Sequence, residues 1–174
     1  MPASASEDDS VGHKRFKEIE SILRFRPDRL GHALLMPPEL QPLLQRLQIP
    51  VECCPTSNVM TIGLSESAPA SSLAKDPMVH GLKRHPQLGK WLQTNHPISI
   101  STDDSGVFGT NPTQELLLLQ RSYDLPLSRI ERITLDSIQH AFCDKQLKEQ
   151  LTRDLTRRFQ EIHQEQLQHK AATT

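Results

Sequence analysis

Helical stretches separate each candidate strand of this chain from the next, and that arrangement limits its fold more than any other feature. The candidates are a short segment from Arg29 to Leu35, the run Val51-Glu52-Cys53-Cys54 closed by Pro55, and Pro97-Ile98-Ser99-Ile100-Ser101-Thr102, which alternates with period two. Strands joined through helices rather than tight turns pair in parallel, and a parallel sheet needs helices over its faces. The expected class is therefore α/β. Three strands do not close a barrel. A complete (β/α)8 barrel takes about 250 residues and rarely fewer than about 200, whereas this chain has 174, so it holds part of one at most.

The intervening pattern is helical. Phe16, Ile19, Ile22 and Leu23 fall at helical spacing between Gly12 and Phe25, and Pro27 stops that helix. Pro37 and Pro38 mark a second start, with Leu40, Leu43, Leu44 and Leu47 on one face and Pro42 delaying or kinking the regular part. A short helix is expected from Leu88 to Gln93. Asn111-Pro112 with Gln114 opens another, and Ser128-Arg129-Ile130-Glu131 reads as a capping box for a helix that turns Ile130, Ile133, Ile138 and Phe142 inward. Leu147, Leu151, Leu155, Phe159 and Ile162 stripe a long charged helix over 146–174. Residues 1–11 are small and acidic and read as a flexible segment; 63–78 are rich in Ser, Ala and Pro and read as a flexible insertion within a domain over 12–145.

Composition excludes several classes. A net charge of -1 offers no basic surface for nucleic acid, and no apolar run suits a membrane span. The first residues carry neither a basic nor an apolar secretory region. Three cysteines, two of them adjacent, do not make a disulfide framework; they read as buried small hydrophobes in a reducing, cytoplasmic setting.

Three spots carry candidate chemistry, each at the C-terminal end of a candidate strand, where α/β barrels place active-site groups: Gly31-His32, Cys54-Pro55-Thr56-Ser57-Asn58, and Thr102-Asp103-Asp104. Each alone has an ordinary reading as a cap or turn. Together, a His and an Asp converging on one mouth make a metal-and-base arrangement, because carboxylate and imidazole both suit zinc. Neighbouring strand residues face opposite ways, so Asp103 and Asp104 share a site only where the strand ends and the chain turns. Asp104-Ser105-Gly106 matches the short triplet of aspartic proteases, but those folds are rich in β structure. His80, His85 and His96 read as polar loop histidines and not as a zinc cluster.

The stretches PDRLGHAL at 27–34, IPVECCPTSN at 49–58, HP at 85–86 and HPISISTDDSGVFGTNPTQEL at 96–116 together resemble the C-terminal part of the adenosine deaminase superfamily. Ser105-Gly106-Val107-Phe108 looks more like its adenosine deaminase-like branch, which acts on N6-substituted AMP. The resemblance implies the C-terminal part of a metal-dependent-hydrolase (β/α)8 barrel and zinc-dependent hydrolytic deamination of a purine nucleoside or nucleotide at C6. By position it makes His32 the catalytic histidine that assists deprotonation of the zinc-bound water. Asp103 becomes a zinc ligand, Asp104 the group that hydrogen-bonds the purine ring, and Gly31 a tight backbone beside His32. Ser57-Asn58 would shape the rim. Ala33 stands where that family has a glycine. The family's His-x-His pair, its third histidine ligand and its proton-donating Glu have no counterpart here. The isolated chain is therefore expected to be an incomplete enzyme whose partner is the missing N-terminal half. The alternative is a non-catalytic half-barrel that engages a partner through its C-terminal helix.

Overall fold

The computed structural model describes residues 7–64 and 76–172. Three parallel strands, β1 (Leu30–Gly31), β2 (Val51–Cys53) and β3 (Ile98–Ile100), pair in chain order, with Leu30 beside Val51 and Val51 beside Ile98. The structure thus bears out a three-stranded parallel part of an α/β barrel. The helices are α1 (Glu7–Phe25), a 3-10 turn over Pro38–Leu40 that leads into α2 (Gln41–Leu47), α3 (Pro55–Thr61), α4 (Pro77–Lys83), α5 (Leu88–Gln93), α6 (Ser105–Phe108), α7 (Pro112–Tyr123), α8 (Leu127–Gln139) and α9 (Lys145–Ala172).

The strands bury one face. Val51 and Cys53 are fully enclosed in a core with Leu23, Leu44, Val59, Leu82, Leu88, Trp91 and Leu119, while Glu52 turns to the other side. On the core side α3, α4 and α7 pack on one another, α8 lies along β3, and α9 lies along α8. On the opposite side the segment after α8 crosses the sheet. Arg29 pairs with Glu52 at 3.2 Å, donates to the His140 carbonyl at 2.9 Å and lies 4.0 Å over the Phe142 ring; Ser99 Oγ and His140 Nδ1 are 2.9 Å apart.

Several expectations are corrected. The first helix begins at Glu7, before the apolar periodicity starts. Residues 1–6 and 65–75 of the two expected flexible stretches lie outside the described residues. Met78, read as insertion, belongs to α4, whose N-cap Asp76 accepts from Met78 N and Val79 N and whose first position is Pro77. Pro55 opens α3 as well as closing β2. The expected capping box at Ser128 does not form: Pro126 is the N-cap of α8, and no side chain caps it. Phe142 is not inward but 72% exposed, stacked under Arg29. Cys53 and Cys54 are buried, but Cys143 only partly so, and all three are free. The stripe on α9 is split: Leu155, Phe159 and Ile162 are half-buried, whereas Leu147 and Leu151 are exposed. No helix among the described residues is long and apolar enough to cross a membrane.

Candidate functional site

The strand ends bring the three spots together through backbone that few L-residues adopt. His32 and Ala33, just past β1, have φ of 56° and 47°, and Asp103, just past β3, has φ of 56°. Asp tolerates the left-handed region better than most residues, and Ala has no side-chain compensation for it. The tight backbone expected at Gly31 therefore sits one and two positions later. Gly31 is an ordinary strand residue with open space where a Cβ would go, and Ala33 is where a glycine would relieve strain.

The turn at Asp103 aims its carboxylate back over the sheet. Its Oδ2 lies 3.6 Å from His32 Nε2 and accepts a 2.7 Å hydrogen bond from Ser57 Oγ. His32 Nδ1 is 2.9 Å from Asn58 Oδ1. Ser57 and Asn58, expected to shape a rim, are instead buried at the start of α3 and hold the two candidate residues in place. Asp104 caps α6, its Oδ1 accepting from Gly106 N and Val107 N at 3.1 Å; its Oδ2 has no partner among the described residues. Asp103 and Asp104 thus diverge as the chain turns.

Two residues at this site escaped sequence reasoning. Glu115 is fully buried in α7. Its Oε2 accepts from Thr56 N at 2.9 Å and its Oε1 from Thr110 Oγ1 at 2.5 Å, which ties the start of α3 to the loop after β3. Only its place in a helical first turn was visible, and an acid there reads as a solvated one. His85, expected to be a polar loop residue, is 6% exposed. Its Nδ1 accepts from Gln87 N and Leu88 N, capping α5, and its Nε2 lies 3.1 Å from Asn58 Nδ2. His96 is buried too, Nε2 donating to the Ile49 carbonyl at 3.0 Å, with Trp91 between the two rings.

Burial pushes His85 from 6.5 down to about 4, and lowers His96 and His140 as well. Each is held neutral in the fold, while the unfolded chain takes up protons below about pH 6.5. Stability is therefore fully present above pH 6.5 and is lost as pH falls toward 4, by about 3 kcal/mol for His85 alone. Urea midpoints measured from pH 7 to 4 are expected to fall accordingly, and His85→Gln to flatten the slope; an unchanged slope would refute the assignment.

One ligand atom each from His32, Cys54 and Asp103 lies within 4.8 Å of the others, which makes them the candidate metal group among the described residues. Burial first, then the Asp103 charge, push the Cys54 thiol up to about 11, so it is protonated at neutral pH and a poor ligand. His32 Nδ1 is already engaged by Asn58. That leaves one carboxylate and one imidazole nitrogen, short of the three or so protein ligands of a catalytic zinc. These residues do not fit the ion by themselves.

The adenosine deaminase family model matches residues 17–158. The chain belongs to the adenosine deaminase family. It is 32% identical over 135 residues to the N6-mAMP deaminase of Arabidopsis thaliana, covering 78% of this chain and 34% of that protein. Likewise it is 31% identical over 134 residues to the adenosine deaminase-like protein of Drosophila pseudoobscura pseudoobscura, covering 77% and 35%. Among solved structures, the apo N6-methyl-AMP deaminase from Arabidopsis thaliana matches at a TM-score of 0.67 and 31% identity, covering 80% of this chain and 37% of that one. The Arabidopsis ADAL complexed with IMP matches at 0.65 and 30%, covering 80% and 36%. This adenosine deaminase family chain spans about a third of the length of the relatives it matches.

Proposed function

We propose that this chain is the C-terminal third of a hydrolytic purine deaminase acting on adenine nucleotides, with N6-substituted AMP as the preferred class. The observation that carries this reading is the His32–Asp103 pair, 3.6 Å apart at the mouths of two strands that flank β2 in a parallel sheet. That pairing supports a site where a proton is held at His32 Nε2 beside a carboxylate that Ser57 orients. Asp104 Oδ2, which has no partner among the described residues, suits a hydrogen bond to a purine ring, and the open space beside Gly31 leaves room for the base. Relatives named N6-methyl-AMP deaminase, and neighbours complexed with IMP and with GMP, support a nucleotide as substrate. Zinc enters this reading with Asp103 as one ligand and the remaining ligands outside this chain. Free cysteines throughout suit a cytoplasmic protein.

The reading requires a partner for the sheet. Among the described residues β1 pairs on one side alone, with β2. Beside it a hollow of about 210 Å³ is lined by Ile19, Ile22, Leu30, Leu34, Leu35 and Met36. An open parallel edge next to an apolar hollow suits a preceding strand and its helix.

The test is IMP formation from AMP and from N6-methyl-AMP, with ammonia or methylamine leaving as water adds at C6. It compares the 174-residue chain alone with the chain fused behind the portion of the Arabidopsis N6-mAMP deaminase that its match leaves uncovered. The expected result is turnover by the fusion and none by the chain alone. A folded, zinc-loaded fusion without turnover on either nucleotide would overturn the proposal.

A further inference from the structure

We infer that His85 is a positioning residue which, through the Asn58 side-chain amide, fixes on which ring nitrogen His32 carries its proton. Only the consequence for catalysis rests on the deaminase reading; the hydrogen-bond argument stands without it.

The argument starts at α5. The backbone N–H groups of Gln87 and Leu88 both point at His85 Nδ1, at 3.2 and 3.0 Å. A nitrogen that accepts two hydrogen bonds carries no proton. Burial keeps the ring neutral, so its single proton is on Nε2. That N–H is directed at the Asn58 amide 3.1 Å away. Asn58 is fully buried, so no water can intervene to relieve a mismatch. An NH2 group facing an N–H would set donor against donor, at a cost the interior does not offset. The network closes only with the amide oxygen toward His85 and the NH2 toward His32, an orientation that hydrogen-bond partners alone decide.

The neighbouring atoms agree. The Asn58 amide atom nearest Cys53 is 3.6 Å from Sγ. Burial above all pushes that thiol far up, against the opposite pull of an Asn58 NH2 in its present orientation, so it keeps its proton and can donate to an amide oxygen in this position. As placed, Asn58 has Oδ1 toward His32 Nδ1 and Nδ2 toward His85 and Cys53, and the inference turns the amide over; its NH2 then donates to His32 Nδ1 across the 2.9 Å contact. Nδ1 of His32 is then the acceptor, which leaves the ring proton on Nε2, the nitrogen that lies 3.6 Å from Asp103 Oδ2. His32 therefore presents a protonated Nε2 to the site. A buried histidine that touches neither Asp103 nor the substrate's side of the sheet dictates this.

The test is the tautomer itself, read by long-range proton–nitrogen correlation of the histidine rings in the 174-residue chain at neutral pH, with His32 and His85 assigned by loss of their signals in single His→Gln variants. The expected spectrum gives both rings a pyridine-type Nδ1 and a protonated, pyrrole-type Nε2. A protonated Nδ1 on His32 would overturn the inference. Asn58→Asp supplies the second arm: a carboxylate only accepts, so His85 keeps its Nε2 proton while His32 switches to a protonated Nδ1. An unchanged His32 signature in that variant would also overturn it. Neither arm uses turnover, so an inactive fusion with the expected spectra would sink the deaminase reading and leave this one standing.

Discussion

Asp103→Asn, in the fusion with the uncovered portion of the Arabidopsis N6-mAMP deaminase, is expected to lower IMP formation from N6-methyl-AMP by at least about 10³-fold, or about 4 kcal/mol of transition-state stabilisation. The substitution isolates charge. Asn tolerates the left-handed φ of 56° at this position almost as well as Asp, and its carbonyl oxygen can still accept from Ser57 Oγ. What disappears is the negative oxygen beside His32 Nε2 and the carboxylate that, among the described residues, reaches His32 and Cys54 together. The side chain is 37% exposed, so the melting temperature is expected to stay within a few degrees. Steady-state assays with calorimetry on the same samples check both halves. Activity within tenfold of the unsubstituted fusion would remove Asp103 from the site.

The second large effect is on stability. Glu115→Ala removes the acceptor for the Thr56 N–H and for the Thr110 hydroxyl, leaves a void where a fully buried side chain stood, and frees the start of α3 from the loop after β3. Both donors are half-buried, so water can partly replace the lost acceptor, and the two lost hydrogen bonds with the cavity are expected to cost about 3 kcal/mol. Glu115→Gln keeps one amide oxygen for Thr56 N and is expected to lose less than half as much. Equilibrium urea unfolding of the two variants checks the order. An alanine variant no less stable than the glutamine variant would show that the hydrogen bonds contribute nothing.

The strands and the two candidate residues were legible because local chemistry determines them. Period-two alternation ending in Thr102-Asp103 marks a strand that stops, and Gly31-His32 and Asp103 lie where a parallel sheet exposes its ends. Asp76-Pro77 was equally local, an N-cap followed by proline, but it lies at the end of a stretch with no period, and α4 was missed for that reason. The long-range partnerships were not legible at all. Glu115 reaches Thr56 across 59 positions, and His85 reaches Asn58 across 27. Both are polar residues whose burial follows from packing of helices against each other, and no local pattern encodes which polar side chain that packing encloses. Phe142 failed for the opposite reason. Its spacing from Ile138 fits a helical face, but the helix ends at Gln139 before reaching it.

The crossing of the sheet by the segment after α8 bears on the order in which the protein is made. Arg29 stands at the entry to the first strand, and the carbonyl and ring that receive its guanidinium belong to His140 and Phe142, 111 and 113 positions downstream. A chain leaving the ribosome presents β1, β2 and β3 long before those groups exist. Closing a loop of that length is slow and contributes nothing until it is complete. During synthesis Glu52 is thus the only described counter-ion that Arg29 can find, and the sheet waits with its cation half-satisfied until α8 has emerged and the chain folds back across it.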